Sequence, residues 1–221
     1  MDPQFFILLG SGLKWIGLCA LPLFLLPLLV LVLPHLTQQV GKAVFKTIDR
    51  ITGFALAGAM VAAVSLIVLQ LIVVVMSYAF GLSWTWMSEL VVYAFATMFM
   101  LGAAAALRDD AHVRVDILRP RFGENGRNWV ELAGIYLLLF PICIRLLTTG
   151  EQGLARSWML LEGSRETDGL PIVFLFKTLV PVFAILMLGQ GLSEALKAAL
   201  RLTGHLAPAA KTEEGDAHHG A

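Results

Sequence analysis

Long apolar runs separated by short polar connections set the pattern of this 221-residue chain. Four runs, at residues 51–80, 84–107, 129–149 and 171–192, contain at most two charged side chains each. A helix rises about 1.5 Å per residue, so about 20 residues cross the ~30 Å hydrocarbon core of a bilayer. The pattern therefore predicts an all-α integral membrane protein with a four-helix transmembrane body.

The first 50 residues add two further features. Residues 15–33 form another apolar run, which predicts an accessory N-terminal transmembrane helix. A cleaved signal peptide is the alternative, but Asp2 stands where such peptides carry basic residues. Residues 35–50 alternate basic and apolar positions, a pattern typical of an amphipathic segment at the membrane interface. The chain thus divides into the accessory helix, the four-helix body and a polar, disordered tail, at residues 1–34, 35–200 and 201–221.

A face suited to close helix packing is visible in the first span of the body. Ala55, Ala59 and Ala63 recur at four-residue spacing and therefore lie on one side of a helix. Small side chains let two membrane helices approach closely. The pattern predicts a helix contact at these alanines. Alanine is also simply common in membrane helices, and both interpretations stay open.

The distribution of lysine and arginine predicts the orientation of the chain. Cytoplasmic connections of multi-pass proteins are enriched in these residues. One side of this chain has only Lys14, Arg156 and Arg165 in its connections. The connections on the other side have Lys42, Lys46, Arg50, Arg108, Arg114, Arg119, Arg121, Arg127, Lys197, Arg201 and Lys211. We therefore expect a cytoplasmic C-terminus, and an N-terminus on the opposite side if the accessory helix spans.

Composition and charge exclude one class of function. Hydrophobic residues make up 58% of the chain and charged residues 14%, against roughly 25% charged in a soluble domain. The formal net charge is zero, so no global basic field attracts nucleic acid. The two cysteines, Cys19 and Cys143, lie in apolar runs and form no redox or disulfide motif. We expect no nucleic-acid partner.

Three of the charged side chains within the predicted spans lie near the same end of their helices: Glu89, Arg145 and Lys177. Each lies about four to six residues from the same predicted end of its helix, or roughly 6–9 Å below the surface. Charged groups inside a bilayer are costly and are either paired or functional. We expect the three to form a shared ion pair or network that joins their helices. A proton or substrate path is the alternative, although few polar residues lie deeper.

The sequence contains no pattern of a catalytic or cofactor site. Its five histidines all lie outside the predicted spans, whereas a haem-binding membrane subunit needs axial histidines within its helices. Asp109, Asp110 and Asp116 share their connection with five arginines, which favours a charge-compensated surface over a catalytic acid cluster. No nucleophile-elbow, zinc-protease or phosphate-loop motif occurs. We expect no enzymatic activity, no metal site and no cofactor.

One stretch resembles a known family. Residues 84–116 resemble the small membrane subunit of the tripartite ATP-independent periplasmic (TRAP) transporters. That family has a tryptophan and an acid at the start of its second core helix, then a Gly-Ala-Ala-x-Ala-Leu-Arg run and a His-Val-x-Val-Asp loop. The matching positions here are Trp86, Glu89, Gly102, Arg108, His112 and Asp116. Two features depart from the pattern, since Ser88 precedes Glu89 where the family often has a second acid, and an N-terminal helix is added.

The resemblance implies a role without chemistry of its own. In this family the small subunit acts as a scaffold in the bacterial inner membrane. It binds a large membrane subunit that holds the substrate and sodium sites, and a soluble periplasmic protein delivers the substrate, often an organic acid. The other contacts implied are membrane lipids. The loops expected on the periplasmic side then form part of the docking face for that protein, at Trp84, Arg156, Glu162 and Arg165.

Two other functions remain open for a small membrane protein. A self-sufficient transporter or channel predicts polar residues along a path at the bilayer midplane and inverted helix repeats. A membrane anchor of a redox enzyme predicts cofactor ligands within a span. The scaffold subunit is the leading hypothesis because the sequence offers neither feature.

Overall fold

The computed structural model of the protein describes residues 23–111 and 123–207. Within these ranges the regular elements are α1 (Leu23–Val32), α2 (Pro34–Phe80), α3 (Thr85–Arg108), α4 (Gly123–Gly134), a π-helical turn (Ile135–Leu139), α5 (Phe140–Met159), α6 (Val173–Lys177) and α7 (Leu179–Leu202). Four stretches are long and apolar enough to cross a membrane, namely Pro34–Phe80, Thr85–Arg108, Asn125–Met159 and Val173–Leu202. The predicted all-α fold with a four-helix transmembrane body is confirmed.

Helix α2 is longer than the sequence pattern indicated. It contains 47 residues and so measures about 70 Å, roughly twice the thickness of the hydrocarbon core. The amphipathic segment at residues 35–50, predicted to be separate, is the first third of this helix, because no proline occurs between Pro34 and Phe80 to interrupt it. Pro34 opens the helix at a position where a missing N–H costs nothing. Leu33 lies between α1 and α2, since a residue before proline is disfavoured in a helix.

Helices α2 and α3 form a tight antiparallel pair. The turn between them begins at Gly81, whose φ of 67° lies in the left-handed region and whose N–H caps the carbonyl of Met76. Along the pair, Ala59 is buried, and a Cβ built on Gly102 would lie only 3.7 Å from its side chain. Ala55 and Ala63 are half-buried. On this face of α2, Ala59 therefore lies in contact range of α3 at Gly102.

The third span contains a π-helical turn at Ile135–Leu139, directly before Pro141. A proline lacks an N–H and its ring crowds the carbonyl four residues earlier, so the helix widens there instead of breaking. Helix α5 then continues to Met159, ten residues past the predicted end of the span. Its last turns are polar, and polar residues do not end a helix once it has left the hydrocarbon.

The fourth span is divided near its start. The short helix α6 ends at Lys177, and α7 begins at Leu179 after a turn at Thr178. Pro181 then falls in the first turn of α7, where its missing N–H leaves no hydrogen bond unmade. Helix α7 continues to Leu202, ten residues beyond the predicted end of the span at residue 192.

The C-terminal half of α7 lies at the centre of the core. Leu196 and Leu200 are fully buried against Val30 of α1 and against Ile135 and Phe140 of the third span. Helix α1 is held by the hydroxyl of Tyr136, which donates to the carbonyl of Phe24, and by an edge-to-face contact between Phe24 and Phe140 at 4.9 Å. The remainder of the predicted accessory helix, in residues 1–22, lies outside the described residues.

Candidate functional site

Among the described residues, the charged side chains that bind other elements gather at the two ends of the helix bundle. One group lies where the α5–α6 connection folds back over the start of α3; residues 160–172 of this connection are called the strap below. The other group lies around Lys197 of α7, where α2, α3 and α7 meet, and is called the Lys197 cluster. The end of the bundle that carries the strap is called the strap end.

The strap is organised around the carboxylate of Glu89. The hydroxyl of Ser164 donates to one carboxylate oxygen, and the backbone N–H of Leu170 donates to the other at 2.7 Å. A backbone bond of 2.9 Å from Ser164 to Leu170 closes the loop between these two donors. Gly169 leaves the necessary space, because a Cβ built there would collide with Ser164 and would lie 2.9 Å from Glu89. The strap is thus folded onto an acid that belongs to a membrane helix.

A second set of contacts ties the strap to α5 and α6. One carboxylate oxygen of Glu162 accepts from the hydroxyl of Ser157 at 2.6 Å and from the ammonium of Lys177. The indole N–H of Trp158 donates to Thr178 at 3.0 Å. The hydrogen bonds from Lys177 and then Ser157 hold the pKa of Glu162 below its ordinary value, because both favour the ionised carboxylate.

Acidification is expected to weaken this attachment. A carboxylate with a lowered pKa in the folded state stabilises the fold above its ordinary pKa of about 4.5, and that contribution is lost as pH falls through the lowered value. Wild type should therefore exceed Glu162→Gln in thermal unfolding midpoint at pH 6, and the difference should shrink towards pH 3.5. Glu166→Gln, at an exposed carboxylate of the strap, is the matched control. A difference that stayed constant with pH would contradict this assignment.

The three residues expected to share an ion network have different partners in the structure. Glu89 binds the strap, and Lys177 binds Glu162. The side chain of Arg145 is exposed, and among the described residues no carboxylate lies within ion-pair distance of it. The reason is that the strap reaches the level of Glu89 and Lys177. It supplies hydrogen-bond donors for Glu89 and the acid Glu162 for Lys177, whereas the sequence analysis considered only groups on the helices.

The Lys197 cluster joins α2 to α7 through charged side chains. The ammonium of Lys197 lies 2.9 Å from a carboxylate oxygen of Asp49 and 2.8 Å from one of Glu194. The hydroxyl of Ser193 donates to Asp49 at 2.7 Å. The side chains of Lys197 and Glu194 are only 13% and 9% exposed, so this lysine holds two carboxylates in a largely buried position.

Gln190 extends the cluster deeper into the bundle. It is fully buried, and its amide nitrogen donates to Asp49 at 3.1 Å and to Glu194 at 3.0 Å. Its amide oxygen accepts from the hydroxyl of Thr52 at 2.7 Å, and Thr52 is itself 1% exposed. The polar atoms of this glutamine therefore have partners from both helices, as burial requires.

Arg108 connects α3 to the same cluster. Its guanidinium donates to the backbone carbonyl of Asp49 at 3.2 Å and forms a two-point ion pair with Asp109, at 2.7 and 3.0 Å. The hydrogen bonds from Arg108 lower the pKa of Asp109. Three helices are thereby cross-connected at one level of the bundle.

Comparison with known proteins decides the family. The family described as "Tripartite ATP-independent periplasmic transporters, DctQ component" matches residues 66–201, more than half of the chain. The chain belongs to this family. It is therefore the small component of a TRAP transporter, a multi-pass membrane protein of a transporter family rather than an enzyme family. No curated protein and no solved structure matches it.

The described motif residues of this DctQ chain each make a contact between elements. The backbone N–H of Trp86 donates to the strap carbonyl of Asp168 at 3.1 Å, while Glu89 binds the strap through its side chain. Gly102 allows the approach of α2, and Arg108 reaches the Lys197 cluster. The last two motif residues, His112 and Asp116, lie outside the described residues.

The residues predicted for a docking face lie together near the strap end but differ in exposure. Arg156 and Arg165 are exposed, and Trp84 is 36% exposed. Glu162 instead accepts a hydrogen bond from Ser157 and pairs with Lys177, so its charge is compensated within the DctQ chain.

Sequence reasoning missed most of the Lys197 cluster. Gln190, Glu194 and Lys197 follow one another at four- and three-residue spacing, so they share one face of α7. A polar stripe of this kind at the end of an apolar helix is the signal that could have identified them. It was overlooked because the predicted span ended at residue 192, which assigned Glu194 and Lys197 to a solvated connection. The matched region of the DctQ family begins within α2, after Asp49 and Thr52.

Proposed function

We propose that this DctQ chain is the non-catalytic scaffold subunit of a sodium-coupled TRAP uptake system for an organic acid or a related small solute. It anchors the large permease subunit in the bacterial inner membrane, and it helps to dock the periplasmic binding protein. The sodium and substrate sites belong to the large subunit in this proposal.

The observation that supports the proposal is that charged side chains in the described helices bind other groups of the same chain. Lys197 is shared by two carboxylates of the same chain, and Glu89 is saturated by the strap. A solute path needs polar groups that are free to bind a solute or water across the whole bilayer. In residues 23–111 and 123–207, the charged groups with buried contacts instead connect helices and lie near the bundle ends.

Between the two ends, α2 and α3 present apolar side chains outward. The large hydrophobic residues of this surface are at least half exposed, and they include Val61, Val64, Ile67, Leu71, Val92, Phe95 and Phe99. In a membrane such a surface meets acyl chains or the helices of another subunit. It therefore supports a role in which the large permease subunit and lipids cover the scaffold.

The strap supports the proposed docking role. It is a short connection with internal backbone bonds and side-chain attachments to α3, α5 and α6, so it presents its exposed residues in a fixed arrangement. Arg165 lies on the strap, and Arg156 lies in the last turns of α5 just before it. Exposed charges at the edge of an interface steer association and favour one partner over others. In this proposal the strap end faces the periplasm.

Charge reversal tests the docking face. Arg165→Glu and Arg156→Glu are expected to weaken binding of the cognate periplasmic protein to the assembled membrane complex several-fold, mainly through a slower association rate. The measurement is surface plasmon resonance with the complex in nanodiscs. Lys46→Glu, an exposed charge reversal on the first third of α2, is the control and should leave binding unchanged. Unaltered association in both arginine variants would remove these residues from the docking face.

Purification distinguishes the scaffold from the two alternatives. A scaffold should bring down a much larger membrane subunit with many helices when it is isolated in mild detergent. A self-sufficient transporter or a redox anchor predicts solute flux by this chain alone in liposomes, or a bound coloured cofactor. Either result would contradict the scaffold assignment.

A further inference from the structure

The end of α7 is folded back onto the helix in a fixed geometry. Gly204 has a φ of 73°, and the following two N–H groups, of His205 and Leu206, both donate to the carbonyl of Leu200 at 2.9 and 3.2 Å. Such a left-handed residue reverses the chain at a helix C-terminus. His205 is thereby returned to the last turn of α7, which contains Arg201.

A second histidine reaches the same place from α2. The rings of His35 and His205 lie 6.0 Å apart between centroids and are nearly perpendicular, at 86°. His35 is the second residue of α2 and is exposed. The start of α2 and the end of α7 therefore place two imidazoles beside the turn that carries Arg201.

Two buried nitrogens of this group lack hydrogen-bond partners among the described residues. Nε of Arg201 and Nδ1 of His205 are buried, and neither has a hydrogen-bond partner in the described part of the chain. Among the described residues no carboxylate forms an ion pair with Arg201, and the carboxylates of Asp49 and Glu194 pair with Lys197. Arginine has five N–H donors and a permanent charge, so a half-buried guanidinium without an acceptor leaves a strong demand for an anion.

The surface next to this group is apolar, which indicates that the anion belongs to a lipid. Val32, Leu33 and Leu36 flank His35 and are 74%, 48% and 77% exposed. Three large exposed hydrophobic residues in one short stretch are typical of a surface covered by acyl chains. A basic group at the border of such a surface meets the layer of lipid phosphates.

We propose that Arg201, together with His205 and His35, binds the phosphate group of a membrane phospholipid. The guanidinium supplies the charge and two parallel N–H donors, the geometry that arginine uses for phosphate. The imidazoles add hydrogen bonds at its side, and the acyl chains cover Val32, Leu33 and Leu36. The site is independent of the scaffold role, because it requires only that the chain lie in a bilayer.

Lipid-dependent stability tests the site. The full chain, purified in detergent with its membrane partner, is titrated with phosphatidylglycerol while thermal unfolding is followed by tryptophan fluorescence. Wild type should gain several degrees, and Arg201→Gln should need roughly tenfold more lipid for the same gain, since it loses a charge-assisted contact. Arg201→Lys, which keeps the charge but not the two-point geometry, should fall between them. Arg156→Gln, at an exposed arginine of α5, is the control and should respond like wild type.

Two further arms decide between sources of the phosphate group. Inorganic phosphate at millimolar concentration should give no gain, because it cannot cover the apolar surface; a full gain with phosphate alone would overturn the lipid assignment. His205→Gln should reduce the lipid response without abolishing it. Equal lipid responses in wild type and Arg201→Gln would overturn the site altogether. If Arg201→Gln does not fold, the comparison of Arg201→Lys with wild type retains the test.

Discussion

Lys197→Ala is expected to lower the amount of folded protein in the membrane to a small fraction of the wild-type amount. The substitution leaves the carboxylates of Asp49 and Glu194 close together in a largely buried place with no cation between them. Breaking a buried ion pair by removing one partner costs about 3–5 kcal/mol. Whole domains are stable by only about 5–15 kcal/mol, so the loss is a large share of the total.

Fluorescence-detected size-exclusion chromatography of tagged chain from solubilised membranes measures this loss. Lys46→Ala, at an exposed lysine of α2, is the matched control and should keep the wild-type yield. Lys197→Arg should recover part of the yield, because it restores the charge. Adding Glu194→Gln to Lys197→Ala should also recover part, since it removes one of the two stranded charges. A Lys197→Ala yield equal to that of Lys46→Ala would show that the cluster does not hold α2 to α7.

Glu89→Ala is expected to release the strap while the helices remain folded. The strap loses two hydrogen bonds to an ionised carboxylate, each worth about 1.5–3 kcal/mol. Amide hydrogen exchange in residues 160–172 should then accelerate by about a hundredfold or more, because exchange follows the free energy of local opening and the two bonds together contribute about 3–6 kcal/mol. We also expect a lower yield of complex assembled with the large subunit.

A steric variant separates strap geometry from charge. Gly169→Ala keeps Glu89 but forces a methyl group into the space of Ser164 and Glu89, so it should accelerate exchange in the same segment. Asp168→Asn neutralises an exposed strap carboxylate while keeping the backbone carbonyl that accepts from Trp86, and it should change little. If Glu89→Ala and Gly169→Ala exchanged as slowly as Asp168→Asn, the carboxylate would not be what orders the strap.

The number of spans and the family followed from the sequence, but the helix ends did not. Hydropathy reports where the chain leaves the hydrocarbon, which is a property of its surroundings. A helix ends where the backbone is interrupted, as at Gly81 with its left-handed φ. Helices α5 and α7 continue with polar turns past the membrane boundary, and nothing in an apolar count marks where they stop.

For the candidate site, the sequence indicated which charged residues need a partner but not which groups are their partners. Counting residues from the helix ends singled out Glu89 and Lys177 as charges that needed a partner. Their partners, Ser164, Leu170 and Glu162, belong to a connection whose path depends on tertiary contacts. A backbone N–H also leaves no trace in residue identity, so the bond from Leu170 could not be read from the sequence. For these reasons Glu89 and Lys177 bind groups of the strap and do not form with each other the pair that the sequence had predicted.

The two polar ends of α3 set a distance that the lipid must match. Glu89 and Arg108 are 19 residues apart, which is about 28 Å along the helix axis. The hydrocarbon core of a bilayer is ~30 Å thick. Because both residues are fixed to other elements, the body cannot shorten or lengthen this interval by sliding one helix. The body therefore has a fixed hydrophobic thickness. A bilayer of a different thickness must deform where it meets the protein, at a cost of fractions of a kcal/mol per Å.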